Sequence, residues 1–153
     1  MRIIFVALIT FISLGGCSRQ DTTFKSVDDY KAEATSSVVS YNTQQALGLV
    51  NDDSVIFVDV RESEELAKGG TIEGAIHVPR GVLEFYIDPK SSMHMDIFSS
   101  GKKVIFYCQG GGRSLLATKL AQDMGMENPV NLEGGFRAWS EAGGSITPPT
   151  EKE

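Results

Sequence analysis

One cysteine is followed at once by glycines and an arginine, in the order Cys108-Gln109-Gly110-Gly111-Gly112-Arg113-Ser114. The apolar run Val104–Tyr107 before it predicts a buried strand, so we expect Cys108 at the carboxyl end of that strand. Ser114 suits the start of a helix whose apolar residues recur at helical spacing until Gly125. A strand, a tight loop and a helix in this order are typical of an anion-binding site.

This loop is expected to favour a negatively charged sulfur. Successive glycines accept positive φ, so the backbone amides of residues 109–114 can curl into a nest aimed at the sulfur. The helix start and Arg113 add positive charge, which favours the thiolate and makes Cys108 the predicted nucleophile, with Arg113 as the second catalytic residue. The alternative is a buried structural cysteine beside a glycine turn. The predicted substrate-binding residues are Gln109, Gly110, Gly111, Gly112 and Ser114.

A second continuous apolar run, residues 54–59, predicts another buried parallel strand, and it ends at Asp59. Ligand crevices of open α/β sheets lie at the carboxyl ends of strands, so we expect Asp59 and Arg61 near the cysteine loop as supporting residues. Asp59 is predicted to accept hydrogen bonds from loop amides or from Arg113. Arg61 is predicted to pair with Glu65 or another acid of the following helix. The alternative is that Asp59 and Arg61 only cap and brace that helix.

Three other polar side chains belong to the predicted surroundings of the site. Arg80 follows a strand end, where it either reaches the pocket mouth or is a solvated surface charge. His77 is expected to be a hydrogen-bonded core imidazole rather than a ligand or base. Met93, His94 and Met95 offer soft metal ligands, but three adjacent residues rarely face one centre, so we predict packing and no metal site. No cofactor is expected beyond a transient sulfur on Cys108.

Four short motifs, in this order along the chain, resemble the rhodanese (sulfurtransferase) family. They are Asp59–Glu62, Gly74–Pro79, Cys108–Ser114 and Leu132–Trp139, and the likeness covers residues 41–144. Alternating strands and helices predict, and the resemblance implies, a rhodanese-like three-layer α/β sandwich with a mostly parallel sheet of about five strands. The family commonly has His and Pro where Thr71 and Glu73 stand, so any role of that His is absent here.

The resemblance implies an enzyme, a sulfurtransferase that moves sulfane sulfur from a donor such as thiosulfate to cyanide or a thiol. Cys108 would hold the sulfur as a persulfide, and such a double displacement predicts ping-pong kinetics. One alternative is a non-enzymatic persulfide carrier or sensor at the membrane. Another is a phosphatase or arsenate reductase of the related fold, which the resemblance associates with a loop one residue longer than Cys108–Arg113.

The amino terminus has the pattern of a bacterial lipoprotein. A basic start precedes an apolar run at residues 3–14, which is too short to span a bilayer comfortably, and residues 14–17 resemble a lipobox with Cys17 as the lipidated residue. Ser18 after it resembles sorting to the outer membrane, so we expect a lipid-anchored protein facing the periplasm. An ordinary secretory peptide cut nearby is the alternative. The predicted organisation is a signal peptide at 1–16, a tether at 17–37 with a short helix around 27–34, the rhodanese-like domain at 38–144 and a disordered tail at 145–153.

Length and composition agree with this organisation. The chain has 153 residues, enough for one domain with a proper core, and a formal net charge of -6, so no nucleic-acid partner is indicated. Its two cysteines leave no disulfide framework if Cys17 is lipidated.

Overall fold

The computed structural model describes residues 24–149, so the predicted signal peptide and Cys17 lie outside the described residues. In chain order the elements are α1 (Val27–Ser37), β1 (Val39–Tyr41), α2 (Thr43–Leu47), β2 (Val55–Asp59), α3 (Ser63–Gly69), β3 (Thr71–Ile72), β4 (Ile76–His77), α4 (Leu83–Ile87), β5 (Lys103–Tyr107), α5 (Gly112–Asp123), β6 (Pro129–Leu132), α6 (Gly135–Glu141) and β7 (Ile146–Thr147). Short 3-10 turns precede and follow α4. Within residues 24–149, no helix combines the length and the apolar character needed to cross a bilayer.

Five strands form the central sheet in the order β1-β6-β5-β2-β4, and each neighbouring pair is parallel. The two strands predicted from continuous apolar runs, β2 and β5, lie next to each other in the middle. Helices α4 and α5 cover one face of the sheet, and α2 and α6 cover the other. The predicted α/β sandwich with a mostly parallel sheet is therefore confirmed.

The sheet separates two hydrophobic cores, because successive residues of a strand point to opposite faces. Phe106 packs on one face with Ala117 of α5. Phe57 and Tyr107 pack on the other face with Trp139 of α6, and the ring centroids of Phe57 and Trp139 are 5.5 Å apart. The side chain of Trp139 is fully buried in this core.

The carboxyl ends of β2 and β5 lie side by side, which brings the predicted site residues to one edge of the sheet. Asp59 is paired in register with Tyr107, so Cys108 follows directly at this edge. The amide of Val60 extends the pairing by donating to the carbonyl of Tyr107 at 2.9 Å. On the other side of β2, His77 pairs with Asp59.

Helix α1 lies in the segment predicted as a tether, but it packs against the domain. A capping box at Ser26 begins the helix, and Ala34 is fully buried where α1 meets α5. The side-chain amide of Gln122 on α5 donates to the carbonyl of Ser37 at 3.2 Å. The ordered domain therefore begins before residue 38, because α5 supplies the surface on which α1 is stabilised.

Strand β7 lies in the segment predicted as a disordered tail. It pairs antiparallel with β3, and Ile146 packs against the core under α6. Gly70 makes this close approach possible, because a Cβ there would lie 2.3 Å from the carbonyl oxygen of Thr147. The structure differs from the prediction of disorder because strand pairing and apolar burial offset the entropy of ordering this short segment.

Candidate active site

Cys108 lies directly after β5 with only 2% of its surface exposed. Its Sγ accepts the backbone N–H of Ser114, with nitrogen and sulfur 3.4 Å apart. Because Ser114 is in the first turn of the 12-residue helix α5, the sulfur lies against the positive end of that helix. Helix start and amide both stabilise negative charge on the sulfur, which is the arrangement a nucleophilic thiolate requires.

The amide of Ser114 binds the sulfur, whereas its hydroxyl makes a different contact, which the sequence did not predict. Its Oγ lies 3.6 Å from Cys108 Sγ but only 2.8 Å from Oδ1 of Asn131. The hydroxyl therefore donates its hydrogen bond to Asn131. The side-chain nitrogen of Asn131 in turn donates to Ser40 Oγ at 3.2 Å. Asn131 is a buried polar residue in the otherwise apolar strand β6, and that break in the pattern was the available sequence signal.

The cysteine loop is held from outside by the start of α6. The amides of Phe136 and Arg137 donate to the carbonyls of Cys108 and Gln109, at 2.8 and 3.1 Å. The N–H and C=O of a peptide point in opposite directions, so the loop amides that follow these carbonyls face away from α6, toward the open side of the loop. The amides of residues 109–113 have no hydrogen-bond acceptor within the described part of the chain. They are free to bind an anion there.

Two glycines permit this contact between loop and helix. Gly111 has φ of 89° at the start of α5, and Gly135 has φ of 61°. A Cβ at Gly135 would lie 2.2 Å from the carbonyl oxygen of Cys108. The paired glycines at 134 and 135 were the sequence signal available for this close approach.

Arg113 binds Glu65 through both branches of its guanidinium, at 2.6 and 2.7 Å from the two carboxylate oxygens. The hydrogen bond from Arg113 lowers the pKa of Glu65 to about 2. The same hydrogen bond raises the pKa of Arg113, with smaller contributions from the charge of Glu65 and from nearby Cys108. Two predicted pairings are therefore wrong, since Arg61 does not bind Glu65 and Asp59 does not accept from Arg113. The reason is that α3 brings Glu65 to the start of α5.

Arg61 instead folds back onto Asp59, and both side chains are buried. Arg61 Nη2 lies 2.7 Å from Asp59 Oδ2, and Nε lies 3.0 Å from Oδ1. The same guanidinium donates to the carbonyl of Gly70 at 2.7 Å and to Gln109 Oε1 at 3.3 Å, and it covers the ring of Phe136 at 4.1 Å. Arg61 thus connects the end of β2, the cysteine loop and α6.

Thr71, where the family commonly has His, completes this network. Its hydroxyl lies 3.2 Å from Asp59 Oδ2 and 2.5 Å from the hydroxyl oxygen of Tyr107. The hydroxyl of Tyr107 also accepts the amide of Ile72 at 3.1 Å. Burial, followed by the charge of Asp59, raises the pKa of Tyr107, so this phenol stays protonated.

The remaining predicted side chains lie away from the sulfur. Arg80 pairs with Glu84 at 3.2 Å, which agrees with a surface charge. The half-buried His77 bonds the carbonyl of Arg61 through Nε2 at 2.9 Å. His94 bonds the carbonyl of Tyr86 and the hydroxyl of Ser99, which ties the loop of residues 91–100 to α4. Within residues 24–149, no group of His, Cys, Asp and Glu side chains is placed to hold a metal ion.

A cavity of about 380 Å³ borders the glycines of the cysteine loop. We call it the α1 cavity, because Lys31 and Thr35 of α1 line it opposite Gly110–Gly112. Asn131 and Glu133 also contribute to its wall, whereas Cys108 does not. The glycine segment of the cysteine loop therefore borders this cavity, whereas Cys108 is not among the residues that line it.

The fold and this site agree with a known family. The rhodanese-like domain family matches residues 42–142, and the chain belongs to that family. The human thiosulfate:glutathione sulfurtransferase is 36% identical to this chain over 89 residues, which are 54% of this chain and 76% of the human protein. The family and this relative support a sulfur-transferring function.

Two solved structures show the same similarity. A Rhodopseudomonas palustris protein of unknown function, described as a possible tyrosine phosphatase, superposes with a TM-score of 0.80 at 42% identity and covers 82% of this chain and 97% of its own. The human single-domain sulfurtransferase superposes with a TM-score of 0.57 at 30% identity and covers 67% of this chain and 95% of its own. Similarity to structures with different described activities means that the chemistry has to be argued from the site.

Proposed function

We propose that this protein is a sulfurtransferase that carries sulfane sulfur as a persulfide on Cys108. The donor is a small anion such as thiosulfate, and the acceptor is cyanide or a small thiol. The observation that carries the proposal is the position of Cys108 Sγ at the start of α5, under a loop whose amides at residues 109–113 have no acceptor in the described part of the chain. The sulfurtransferase relative supports this assignment.

In the first step the Cys108 thiolate attacks the outer sulfur of thiosulfate. A bond forms between Sγ and that sulfur, the sulfur–sulfur bond of the donor breaks, and its electron pair leaves with sulfite. In the second step the acceptor attacks the terminal sulfur, and the electron pair of the Sγ–sulfur bond returns to Cys108. Charge is balanced in both steps, and no redox partner is required.

The loop amides stabilise the negative charge that persists through both steps. A hydrogen bond to a charged group contributes roughly 1.5 to 3 kcal/mol, so several convergent amides have a large combined effect. Arg113 acts mainly by holding the end of the loop, because both branches of its guanidinium bind Glu65. Donor binding in this proposal therefore depends on the backbone of residues 109–114 more than on the Arg113 side chain.

Mass spectrometry tests the proposal directly. After incubation with thiosulfate, Cys108 should gain the mass of one sulfur atom and lose it again on addition of cyanide, and Cys108→Ser should do neither. Steady-state turnover with thiosulfate and cyanide separates an enzyme from a persulfide carrier or sensor. A protein that never acquires the sulfur but hydrolyses aryl phosphates would show that the phosphatase alternative is right.

We also propose that the protein is a lipoprotein of the bacterial outer membrane, anchored through Cys17 and facing the periplasm. The apolar run at residues 3–14 and the lipobox-like residues 14–17 support this. A triacylated amino terminus exceeds the two lipid signals that stable anchoring requires.

A further inference from the structure

We propose that Asn131 is a positioning residue for the nucleophile, because its side-chain oxygen holds the hydroxyl of Ser114 away from the sulfur of Cys108. The sulfur is then stabilised by backbone amides and not by this hydroxyl, which keeps the thiolate reactive. The inference rests on the proposed use of Cys108 as a nucleophile and adds a residue that acts on it through Ser114.

The sheet places Asn131 on the same side as the sulfur. Asn131 of β6 is paired in register with Phe106 of β5 on one side and with Ser40 of β1 on the other. Residues paired in register point to the same face of a sheet, so Asn131 points to the face that α5 covers, as do Phe106 and Cys108 two positions later. Its side chain is only 4% exposed and lies against the first turn of α5.

The hydroxyl of Ser114 has to choose among three acceptors. They are Oδ1 of Asn131 at 2.8 Å, the carbonyl of Gly111 at 3.1 Å and Sγ of Cys108 at 3.6 Å. A hydroxyl carries one hydrogen, so it serves only one of them well. The shortest distance is the one to Asn131, and the sulfur keeps the amide of Ser114, 3.4 Å away.

The far end of Asn131 sets which of its atoms faces Ser114. A carboxamide accepts through its oxygen and donates through its nitrogen. The nitrogen of Asn131 donates to Ser40 Oγ at 3.2 Å, which leaves the oxygen toward Ser114. With the amide reversed, Asn131 would donate to the Ser114 oxygen and release its hydrogen toward the sulfur. The bond to Ser40 therefore supports the orientation that withholds this hydrogen.

Withholding a donor from the sulfur has a chemical consequence. A hydrogen bond to a thiolate stabilises its negative charge, but a more stable thiolate is a weaker nucleophile. The loop amides already hold the charge, so a further bond from the Ser114 hydroxyl would slow the attack of Cys108 on a donor sulfur.

The charged groups near the sulfur are not part of this arrangement. Arg113 is paired with Glu65, and Arg61 is paired with Asp59. Among the described residues, none of these four side chains bonds the Asn131 side chain or the Ser114 hydroxyl. A substitution of Asn131 therefore leaves the charges in place and changes the partner of the Ser114 hydroxyl.

The test is alkylation of the full chain by iodoacetamide over a series of pH values. Mass spectrometry of the peptide that contains Cys108 separates its alkylation from any at Cys17. Asn131→Val should lower the pH midpoint by about one unit, because the freed hydroxyl then bonds the charged sulfur. The same variant should lower the plateau rate above the midpoint by about threefold, since the stabilised thiolate is less nucleophilic.

Thr118→Val is the matched control. It also replaces a buried polar side chain next to Ser114, but Thr118 donates to the carbonyl of Ser114, at 2.8 Å, and not to its hydroxyl. Its midpoint and plateau should equal those of wild type. Adding Ser114→Ala to Asn131→Val should abolish the downward shift of the midpoint, because the hydroxyl that causes the shift is gone.

An Asn131→Val midpoint at or above the wild-type value would overturn the inference, and so would a downward shift that persists without the Ser114 hydroxyl. Ser114→Ala alone decides the matter even where Asn131→Val does not fold. A midpoint that stays at the wild-type value supports the inference, and a rise of about one unit shows that the hydroxyl already bonds the sulfur. These results leave sulfur loading from thiosulfate, which tests the proposed function, unaffected. A wild-type Cys108 that is not alkylated at any pH would contradict both.

Discussion

Arg113 and Glu65 join the end of the cysteine loop to α3 through two short hydrogen bonds, although they are 48 positions apart in the chain. Arg113 directly follows the loop glycines, so its side chain fixes the point at which the loop enters α5. Both side chains are about one third exposed, and exposed ion pairs typically contribute about 0 to 1 kcal/mol to stability. The ion pair of Arg113 and Glu65 therefore serves mainly to position the end of the cysteine loop.

Glu65→Gln should change the acid stability of the protein. The pKa of Glu65 is lowered from 4.5 to about 2, so its carboxylate contributes stability that is fully present above pH 4.5 and is lost as the pH falls toward 2. Urea unfolding at several pH values should show this loss in wild type and a smaller one in the variant. Glu64→Gln, at an exposed neighbour without an ion pair in the described residues, should retain the wild-type pH dependence.

Gly135→Ala should disturb both folding and sulfur loading. The added Cβ would meet the carbonyl oxygen of Cys108 at 2.2 Å, so the loop or α6 has to move. Gly143→Ala is the matched control, because Gly143 also has positive φ, of 75°, but a Cβ there meets nothing within 4 Å. Gly143→Ala should lower the free energy of unfolding only through backbone strain, by about 1 to 2 kcal/mol, and should leave sulfur loading unchanged. Equal loading by the two variants would contradict a role of α6 in holding the loop.

Breaking the buried pair of Asp59 and Arg61 should be far more costly than breaking a surface pair. Arg61→Leu leaves the Asp59 carboxylate buried without a charged partner, for an expected loss of about 3 to 5 kcal/mol in the free energy of unfolding. Arg80→Gln, which breaks the exposed pair with Glu84, should cost about 0 to 1 kcal/mol. The double variant Asp59→Asn with Arg61→Leu should recover part of the loss, because no uncompensated charge remains. Chemical denaturation of all three variants measures the differences.

Cys17→Ser should release the protein from the membrane without loss of sulfur transfer. Serine at this position cannot be lipidated, and Cys108 lies in the separately folded domain. Fractionation of cells that express the variant, followed by an alkaline wash of the membranes, measures this. A variant that remains in the washed pellet would disprove the lipobox interpretation.

The fold could be predicted from the sequence where burial is continuous. The runs before Asp59 and before Cys108 are apolar without alternation, and this identified them as central parallel strands. Helix α1 was harder to assign to the domain, because Ala34 is its only fully buried residue and leaves no apolar stripe to detect. Strand β7 was missed because two residues carry no periodicity, and its pairing with β3 is a tertiary contact.

The candidate site could be predicted where chemistry follows the local chain, as it does at Cys108 and Ser114. Which charged side chains pair with one another could not be predicted from the sequence. Two arginines and two acids meet at the same edge of the sheet, and the sequence does not say which arginine binds which acid. A long arginine side chain can reach more than one acid, so its partner depends on the tertiary structure. Arg61 folds back onto Asp59 where the end of β2 and the carbonyl of Gly70 both bind its guanidinium.

The near-complete burial of Cys108 also affects its redox chemistry. A disulfide requires the two Cβ atoms to come within about 4 Å, and a cysteine with 2% of its surface exposed does not offer that approach to a thiol on another folded protein. A Cβ at Gly110 or Gly112 would meet nothing within 4 Å, so the loop beside the sulfur is not covered by other side chains at these two positions. In the oxidising compartment that we propose for this protein, the thiol is thus shielded from forming a disulfide with another folded protein.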